Sequence, residues 1–177
     1  MEMTSDKMKR LLQRELLIDI DWLGSDVITA GGSVFVKAPM KAVWSMLTDY
    51  NHLHETMPKV VSSVLVEDRG PVKIIEQTGK SGILFFERVV RFRLKVDEEY
   101  PKRLHFEQVE GDFKVYEGNW FLEPVEPPQE QGTIVTYSAR MKPNFFAPPL
   151  LVSFVQSQDL PAILRSIRAY CEPRAGG

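Results

Sequence analysis

Five or six consecutive segments between residues 60 and 142 have the residue pattern of β-strands, and no helical pattern separates them. They are joined by turn residues such as Asp68-Arg69-Gly70-Pro71, Gly79-Lys80-Ser81-Gly82 and Gly111-Asp112. Because short turns connect them, the strands are expected to form an antiparallel meander rather than crossover βαβ units. The predicted strands are Val60–Glu67, Val72–Thr78, Leu84–Glu98, Arg103–Glu110, Lys114–Pro124 and Thr133–Lys142.

The strand predicted over Leu84–Glu98 indicates how this sheet meets solvent. From Arg91 to Val96, basic and apolar residues alternate without interruption. Alternation of this kind indicates a sheet with one face on a core and the other in water. Arg88 falls on the apolar face by the same alternation, which makes it a candidate for an inward-facing polar group.

Helical patterns lie on both sides of the predicted meander. Two short helices are predicted before it, over Pro39–Leu47 and Tyr50–Glu55, and a long apolar helix is predicted to begin near Pro148. Pro161 interrupts the long helix, since proline removes a backbone hydrogen bond and crowds the preceding turn. We therefore expect a kink or a break there, with Asp159 capping a second helix if the helix breaks.

The first residues of the chain predict a helix followed by strands. Asp6–Leu17 has a partial apolar stripe, and an extended pattern continues from Leu17 to Ala38. The Gly31-Gly32 pair inside that pattern suggests a bulge or bend. The helix is interpreted as an extension that packs on the domain; contact with a membrane or a partner is the alternative.

The overall composition favours one ordinary globular domain. The chain has 177 residues, of which 44% are hydrophobic and 26% charged, with a formal net charge of −2. Phosphate-binding proteins need clustered basic residues, so a nucleic-acid partner is not expected. The single cysteine, Cys171, cannot form an internal disulfide. No apolar run is long enough to span a bilayer, and no secretory signal is evident, so a soluble, cytoplasmic protein is expected.

The order of elements, together with several short strings, resembles the START-like superfamily. The most similar part of it is the polyketide cyclase/dehydrase and coenzyme Q-binding (Coq10-like) branch. The strings are Ala38-Pro39-Met40-Lys41-Ala42-Val43-Trp44, Leu47-Thr48-Asp49-Tyr50-Asn51, Met57-Pro58-Lys59-Val60, Gly111-Asp112-Phe113, Gly118-Asn119-Trp120-Phe121-Leu122 and Gly132-Thr133-Ile134-Val135-Thr136-Tyr137.

This resemblance implies an α+β helix-grip fold. In that fold a curved antiparallel sheet of six to seven strands wraps around a long C-terminal helix, and two short helices follow the first strand. The implied domain covers residues 33–172, with an N-terminal extension over 1–32 and a tail over 173–177.

A curved sheet around one helix leaves interior volume that side chains or a ligand must fill, because protein interiors are close-packed. Apolar walls with a few polar groups are typical of small-molecule sites, although the same residues could simply fill a core. The candidate lining residues are Phe86, Arg88, Val90, Phe92, Leu94, Leu104, Phe106, Gln108, Tyr116, Trp120, Leu122, Val135, Tyr137, Met141, Phe154, Leu160 and Leu164.

Among these candidates Arg88 and Gln108 are the polar ones of interest. A buried guanidinium needs a partner, which could be an acidic residue or a ligand oxygen, and a change of register would instead turn Arg88 to solvent. His52 and His54 lie two residues apart, on different sides of a helix, so no metal site is predicted. No cofactor-binding motif is present, and no catalytic residue is assigned.

The predicted function is binding or transport of a hydrophobic small molecule in an internal cavity. The ligand could be a lipid, an isoprenoid quinone or a polyketide-like compound. One alternative is an aromatase/cyclase or dehydratase, and another is a ribosome- or protein-interaction module that uses the basic stripe from Arg91 to Lys95. The segment Asn144–Pro149, rich in phenylalanine and proline, is predicted to act as a lid or to touch a membrane or protein transiently.

Overall fold

The computed structural model describes residues 3–22, 26–83 and 86–175, which form four α-helices and eight β-strands. Two short 3₁₀ segments, Tyr50–His52 and Glu172–Arg174, complete the secondary structure of these residues. In chain order the elements are α1 (Ser5–Leu12), β1 (Leu16–Trp22), β2 (Ile28–Val36), α2 (Met40–Leu47), α3 (Leu53–Thr56), β3 (Val60–Arg69), β4 (Val72–Ile83), β5 (Phe86–Glu99), β6 (Arg103–Gly111), β7 (Phe113–Val125), β8 (Gly132–Pro143) and α4 (Pro149–Cys171).

The strands form one antiparallel sheet in the order β1-β2-β8-β7-β6-β5-β4-β3. Helix α4 packs against β1, β2 and β4, and the main core lies between helix and sheet. This is the α+β helix-grip fold predicted from the sequence. The sheet has eight strands in the described residues, rather than six or seven, because β1 pairs with β2 along its whole length, from Leu16 opposite Val34 to Trp22 opposite Ile28.

Hairpin β4–β5 is longer than predicted. The predicted turn at Gly79-Lys80-Ser81-Gly82 lies inside β4, where Gly79 pairs with Val90 and the ladder continues to Ile83 opposite Phe86. The predicted turn was therefore wrong. Unbroken pairing with a long partner strand outweighs the weak strand preference of two glycines, because strand preference depends strongly on context.

The Gly31-Gly32 pair also has a different role from the predicted bulge. Strand β2 pairs with β1 and β8 through both glycines without a register shift. A Cβ atom at Gly32 would lie 2.8 Å from Leu164 Cδ1 and 3.2 Å from Leu160 Cδ2. Glycine at position 32 thus allows α4 to approach the sheet backbone closely.

Helix α4 runs without a break from Pro149 to Cys171 and contains Pro161. The predicted second helix capped by Asp159 does not form; Asp159 Oδ1 instead lies 3.6 Å from Lys59 Nζ. Packing explains the continuity, because Leu160 and Leu164 on either side of the proline are fully buried and tertiary contacts override local propensity. Within the described residues, no helix is both long and apolar enough to cross a membrane.

The N-terminal segment is joined to the end of α4 by an ionic cluster. Arg14 donates two hydrogen bonds to the Glu172 carboxylate, at 2.6 and 2.7 Å. The Lys37 backbone N–H donates to the same carboxylate at 3.0 Å, and Arg168 donates to the Arg14 carbonyl at 3.3 Å. Helix α1 and strand β1 therefore pack as part of the same folded unit as α4.

Strand β3 forms one edge of the sheet. Its pairing with β4 shifts register twice, between Val60 and Ser62 and between Leu65 and Glu67. The Leu65 N–H donates to Asn51 Oδ1 at 2.9 Å. The edge is thus irregular and partly covered by the segment that precedes it.

Candidate functional site

A cavity of about 140 Å³ lies between the sheet, the α2–α3 segment and helix α4. Its wall is almost entirely apolar and aromatic. The lining residues are Leu47, Tyr50, Leu53, Met57, Pro58, Val60, Ile75, Gln77, Leu94, Val96, Leu104, Phe106, Tyr116, Trp120, Tyr137, Leu160 and Ile163.

The sheet contributes to the wall through strand alternation. Leu94 and Val96 project from β5, and Leu104 and Phe106 from β6, in each case two residues apart. Because side chains two positions apart point to the same face, each pair reaches the interior while its neighbours face outward. The α2–α3 segment supplies the opposite side through Leu47 and residues that follow it at spacings of three or four.

Four aromatic side chains from β6, β7 and β8 hold one another in place. The Phe106 ring lies 5.3 Å from Tyr116 and 6.0 Å from Tyr137, measured between centroids. Trp120 lies 4.7 Å from Tyr137. Interlocked rings at these distances attract one another through their edges and faces, so this part of the wall is rigid.

Two of the polar groups in the wall are already engaged by the protein. The Tyr50 hydroxyl donates to Glu98 Oε1 at 2.6 Å, and burial, followed by this hydrogen bond, raises the pKa of Tyr50. Gln77 Nε2 donates to Ser63 Oγ at 3.1 Å. These contacts fix the orientation of both side chains and leave the Gln77 carbonyl as an acceptor.

Tyr116 and Tyr137 also bring hydroxyl groups to the wall. Burial raises the pKa of Tyr116, and burial together with the neighbouring phenol raises the pKa of Tyr137 well above its usual value. Both groups therefore stay neutral at ordinary pH and act as hydrogen-bonding groups rather than bases.

Seven residues predicted as cavity lining lie on this wall, and their contact with a ligand stays a prediction. They are Leu94, Leu104, Phe106, Tyr116, Trp120, Tyr137 and Leu160. The side chains of Phe86 and Phe154 lie outside the described residues.

Six other candidates are not among the described residues that line this cavity, and they pack against other parts of the protein. Leu122, Val135, Met141 and Leu164 are buried in the core. Phe92 meets Tyr116 edge-on at 5.2 Å, and Val90 lies against Gly79. These side chains therefore pack with the protein itself in this structure.

The two polar candidates also lie off the wall. Arg88 is exposed, and its guanidinium carbon lies 3.6 Å from the centroid of the Phe145 ring. The reason is that β6 ends at Gly111 opposite Phe92, so the start of β5 pairs with β4 alone and extends beyond the cavity.

The Gln108 side chain is engaged by the backbone of Phe113. Its Nε2 donates to the Phe113 carbonyl at 2.8 Å, and its Oε1 accepts from the Phe113 N–H at 3.3 Å. The side chain thereby closes the turn between β6 and β7 instead of facing a ligand.

Ten lining residues were not among the predicted ones. They are Leu47, Tyr50, Leu53, Met57, Pro58, Val60, Ile75, Gln77, Val96 and Ile163. The spacing of Leu47, Tyr50, Leu53 and Met57 at three or four residues was the available signal, since such spacing puts side chains on one side of helical segments.

The remaining polar candidates do not form a second site. His52 Nδ1 lies 2.7 Å from Asp49 Oδ1 at the surface, and no group of His, Cys, Asp or Glu among the described residues could hold a metal ion. In the basic stripe, Arg93 pairs with Glu76 at 2.8 Å and Lys95 with Asp97 at 3.1 Å. The positive charge of these two residues is therefore balanced locally.

Residues 36–168 match the family model described as polyketide cyclase/dehydrase and lipid transport. The chain belongs to this family. No curated protein matches the chain significantly in sequence.

Solved structures support the fold of this family member. The Zhui aromatase/cyclase from Streptomyces sp. R1128 is 13% identical with a TM-score of 0.72, covering 84% of this chain and 95% of that one. The STAR-related lipid transfer protein from Xanthomonas axonopodis is 19% identical with a TM-score of 0.70, covering 88% and 92%. A START superfamily protein from Mycobacterium smegmatis is 12% identical with a TM-score of 0.69, covering 82% and 98%. At such identities the likeness concerns the fold alone.

Proposed function

We propose that this chain binds and carries a hydrophobic small molecule in the cavity between α4 and the sheet. The observation that supports this most is an interior space walled by apolar and aromatic side chains. Water gains few hydrogen bonds in such a space, whereas an apolar guest restores the dispersion contacts that the wall residues lack. Membership of a family described by lipid transport points in the same direction.

The lining chemistry favours binding over turnover. An aromatase/cyclase or dehydratase needs an acid or base beside its substrate. Every described lining residue is uncharged, and the tyrosines keep their protons because burial raises the pKa of each. The described part of the wall thus provides hydrogen-bonding groups that orient a guest and no carboxylate, imidazole or amine that would abstract a proton from it.

The segment Asn144–Pro149 has features that suit a role in loading the carrier with its ligand. Phe146 is 94% exposed, while Phe145 covers the Arg88 guanidinium. A fully exposed phenylalanine next to an anchored one supports transient contact with a membrane or protein surface. The proposed role of this segment is contact with the donor or acceptor of the ligand.

The proposal is tested by purifying the protein from its own host and examining it by native mass spectrometry and solvent extraction. Val60→Phe fills the cavity, because Val60 lies on its wall. Val61→Phe is the matched control, because Val61 is 53% exposed. We expect a co-purifying apolar compound with the wild type and with Val61→Phe, and its loss with Val60→Phe. Equal retention by both folded variants would contradict the proposal.

A further inference from the structure

The volume of the cavity limits the size of its guest. The space measures about 140 Å³. An apolar cavity of about 150 Å³ in another protein holds benzene, whereas sites for drug-sized ligands measure about 300–1,000 Å³. The space as it stands therefore encloses about one six-membered ring, and a long acyl chain or a fused polycycle would extend beyond it.

The wall also determines the charge of the guest. None of the lining residues that the structure describes carries a charge, and this wall is formed mainly by leucine, isoleucine, valine and aromatic side chains. Transfer of an ionised group into such surroundings without a counter-charge is strongly unfavourable. A carboxylate or ammonium ion is thus excluded, and the guest is neutral.

The aromatic cluster favours a flat ring. Phe106, Tyr116, Trp120 and Tyr137 come from three neighbouring strands and are held by mutual contacts. A planar guest can complete such a cluster through edge-to-face contacts, which add to the energy of apolar burial. A flexible aliphatic guest gains burial alone and loses more conformational freedom.

The tyrosine pair provides a place for one oxygen atom. Tyr116 and Tyr137 bring two hydroxyl groups to a wall that is otherwise mainly apolar, and both rings pack against Phe106. A tyrosine hydroxyl in this position can donate to a guest oxygen. A carbonyl or hydroxyl group satisfies this donor, whereas a pure hydrocarbon leaves it unpaired inside the protein.

From these four observations we infer that the cavity takes a neutral, single-ring aromatic compound that bears one hydroxyl or carbonyl oxygen, bound through the Tyr116–Tyr137 pair. This inference rests on the proposed function, because it presupposes that the cavity binds a small molecule. It goes further by naming the chemical class and the residues that select it.

Isothermal titration calorimetry with four probes tests the inference. Phenol and toluene have nearly the same shape and differ by a hydroxyl against a methyl group, benzoate adds a charge, and palmitate adds length. We expect phenol to bind about three- to tenfold more tightly than toluene, as one net hydrogen bond allows, and we expect no binding of benzoate or palmitate.

Variants identify the groups responsible for this preference. The double substitution Tyr116→Phe with Tyr137→Phe keeps both rings and removes both hydroxyls, so the preference for phenol over toluene should be lost. Tyr100→Phe is the matched control, because Tyr100 is 62% exposed and lies off the wall; it should keep the preference. Thermal unfolding confirms that each variant is folded.

The outcomes separate the two levels of the proposal. Binding of palmitate without binding of phenol would overturn the ligand class and leave the proposed carrier function standing. A folded wild-type protein that binds none of the probes and carries no compound from its host would overturn both. A phenol preference that survives in the double variant would refute the role of the tyrosine pair.

Discussion

Gly32→Ala is expected to weaken the contact between helix α4 and the sheet. The added methyl carbon would lie 2.8 Å from Leu164 Cδ1, 3.0 Å from Ile18 Cδ1 and 3.2 Å from Leu160 Cδ2. Carbon atoms prefer separations of about 3.5–4.0 Å, so these three groups must move. Leu164, the nearest of the three, is fully buried in the core.

The size of the effect follows from two opposing contributions. Overpacking a well-packed core costs about 1–3 kcal/mol. Replacing glycine by alanine restricts the unfolded chain and offsets about 0.4–1 kcal/mol of this. We therefore expect the free energy of unfolding to fall by about 1–2 kcal/mol, since the first contribution exceeds the second. With an m value of about 2 kcal/mol/M, the urea midpoint should fall by about 0.5–1 M.

Two comparisons make the Gly32 experiment decisive. Gly31→Ala places its methyl on the opposite face of β2, away from α4, and should leave the midpoint unchanged or slightly raised. Leu164→Ala removes the nearest contact, so Gly32→Ala should cost less in that background than in the wild type. Equal stability of Gly32→Ala and the wild type, at unchanged m, would refute the close approach of α4 to the sheet.

Two further predictions concern the end of α4. Burial alone would raise the pKa of Glu172, but hydrogen bonds from Arg14 and the Lys37 N–H leave this pKa below its usual value. The ionised Glu172 carboxylate stabilises the fold fully above the ordinary carboxyl pKa of about 4.3, and this stabilisation is lost as the pH falls through the lower pKa of the folded protein. The difference in unfolding free energy between wild type and Glu172→Gln should therefore shrink on acidification. A difference that stays constant with pH would contradict this. Burial raises the pKa of Cys171 to about 11, so its reaction with a thiol reagent should be slow in the folded protein and fast in denaturant; rapid native reaction would contradict it.

The strands of the meander were predictable because alternating hydrophobicity and turn residues, the two signals that mark them, are local in sequence. The alternation along β5 depends on residues that are close together in the chain, and so does a turn signal such as Gly111-Asp112. The exposed position of Arg88 was not predictable in the same way, because it depends on where β6 ends relative to β5. That register is set by pairing between separate segments, and alternation along one strand carries no information about it.

The residues of the cavity wall were predicted only in part, because some of them depend on contacts between separate segments. Strand residues such as Leu104 and Tyr137 could be assigned to the inner face from alternation alone. The spacing of Leu53 and Met57 puts them on one side of helical segments, but their place on the wall also depends on how the short helices fold back over the sheet. The continuity of α4 through Pro161 likewise depends on packing at Leu160 and Leu164, which local propensity does not report.

The irregular edge of β3 has a consequence for the protein at high concentration. A straight outer strand presents a row of backbone groups on which another molecule can extend the sheet, a common route to aggregation. Here two register shifts break that row, and the Asn51 amide already occupies the Leu65 N–H. Val64 and Val66 are exposed on this strand. A second copy of the chain nevertheless finds no continuous row of free backbone groups to pair with, so fibril-like growth from this edge is hindered.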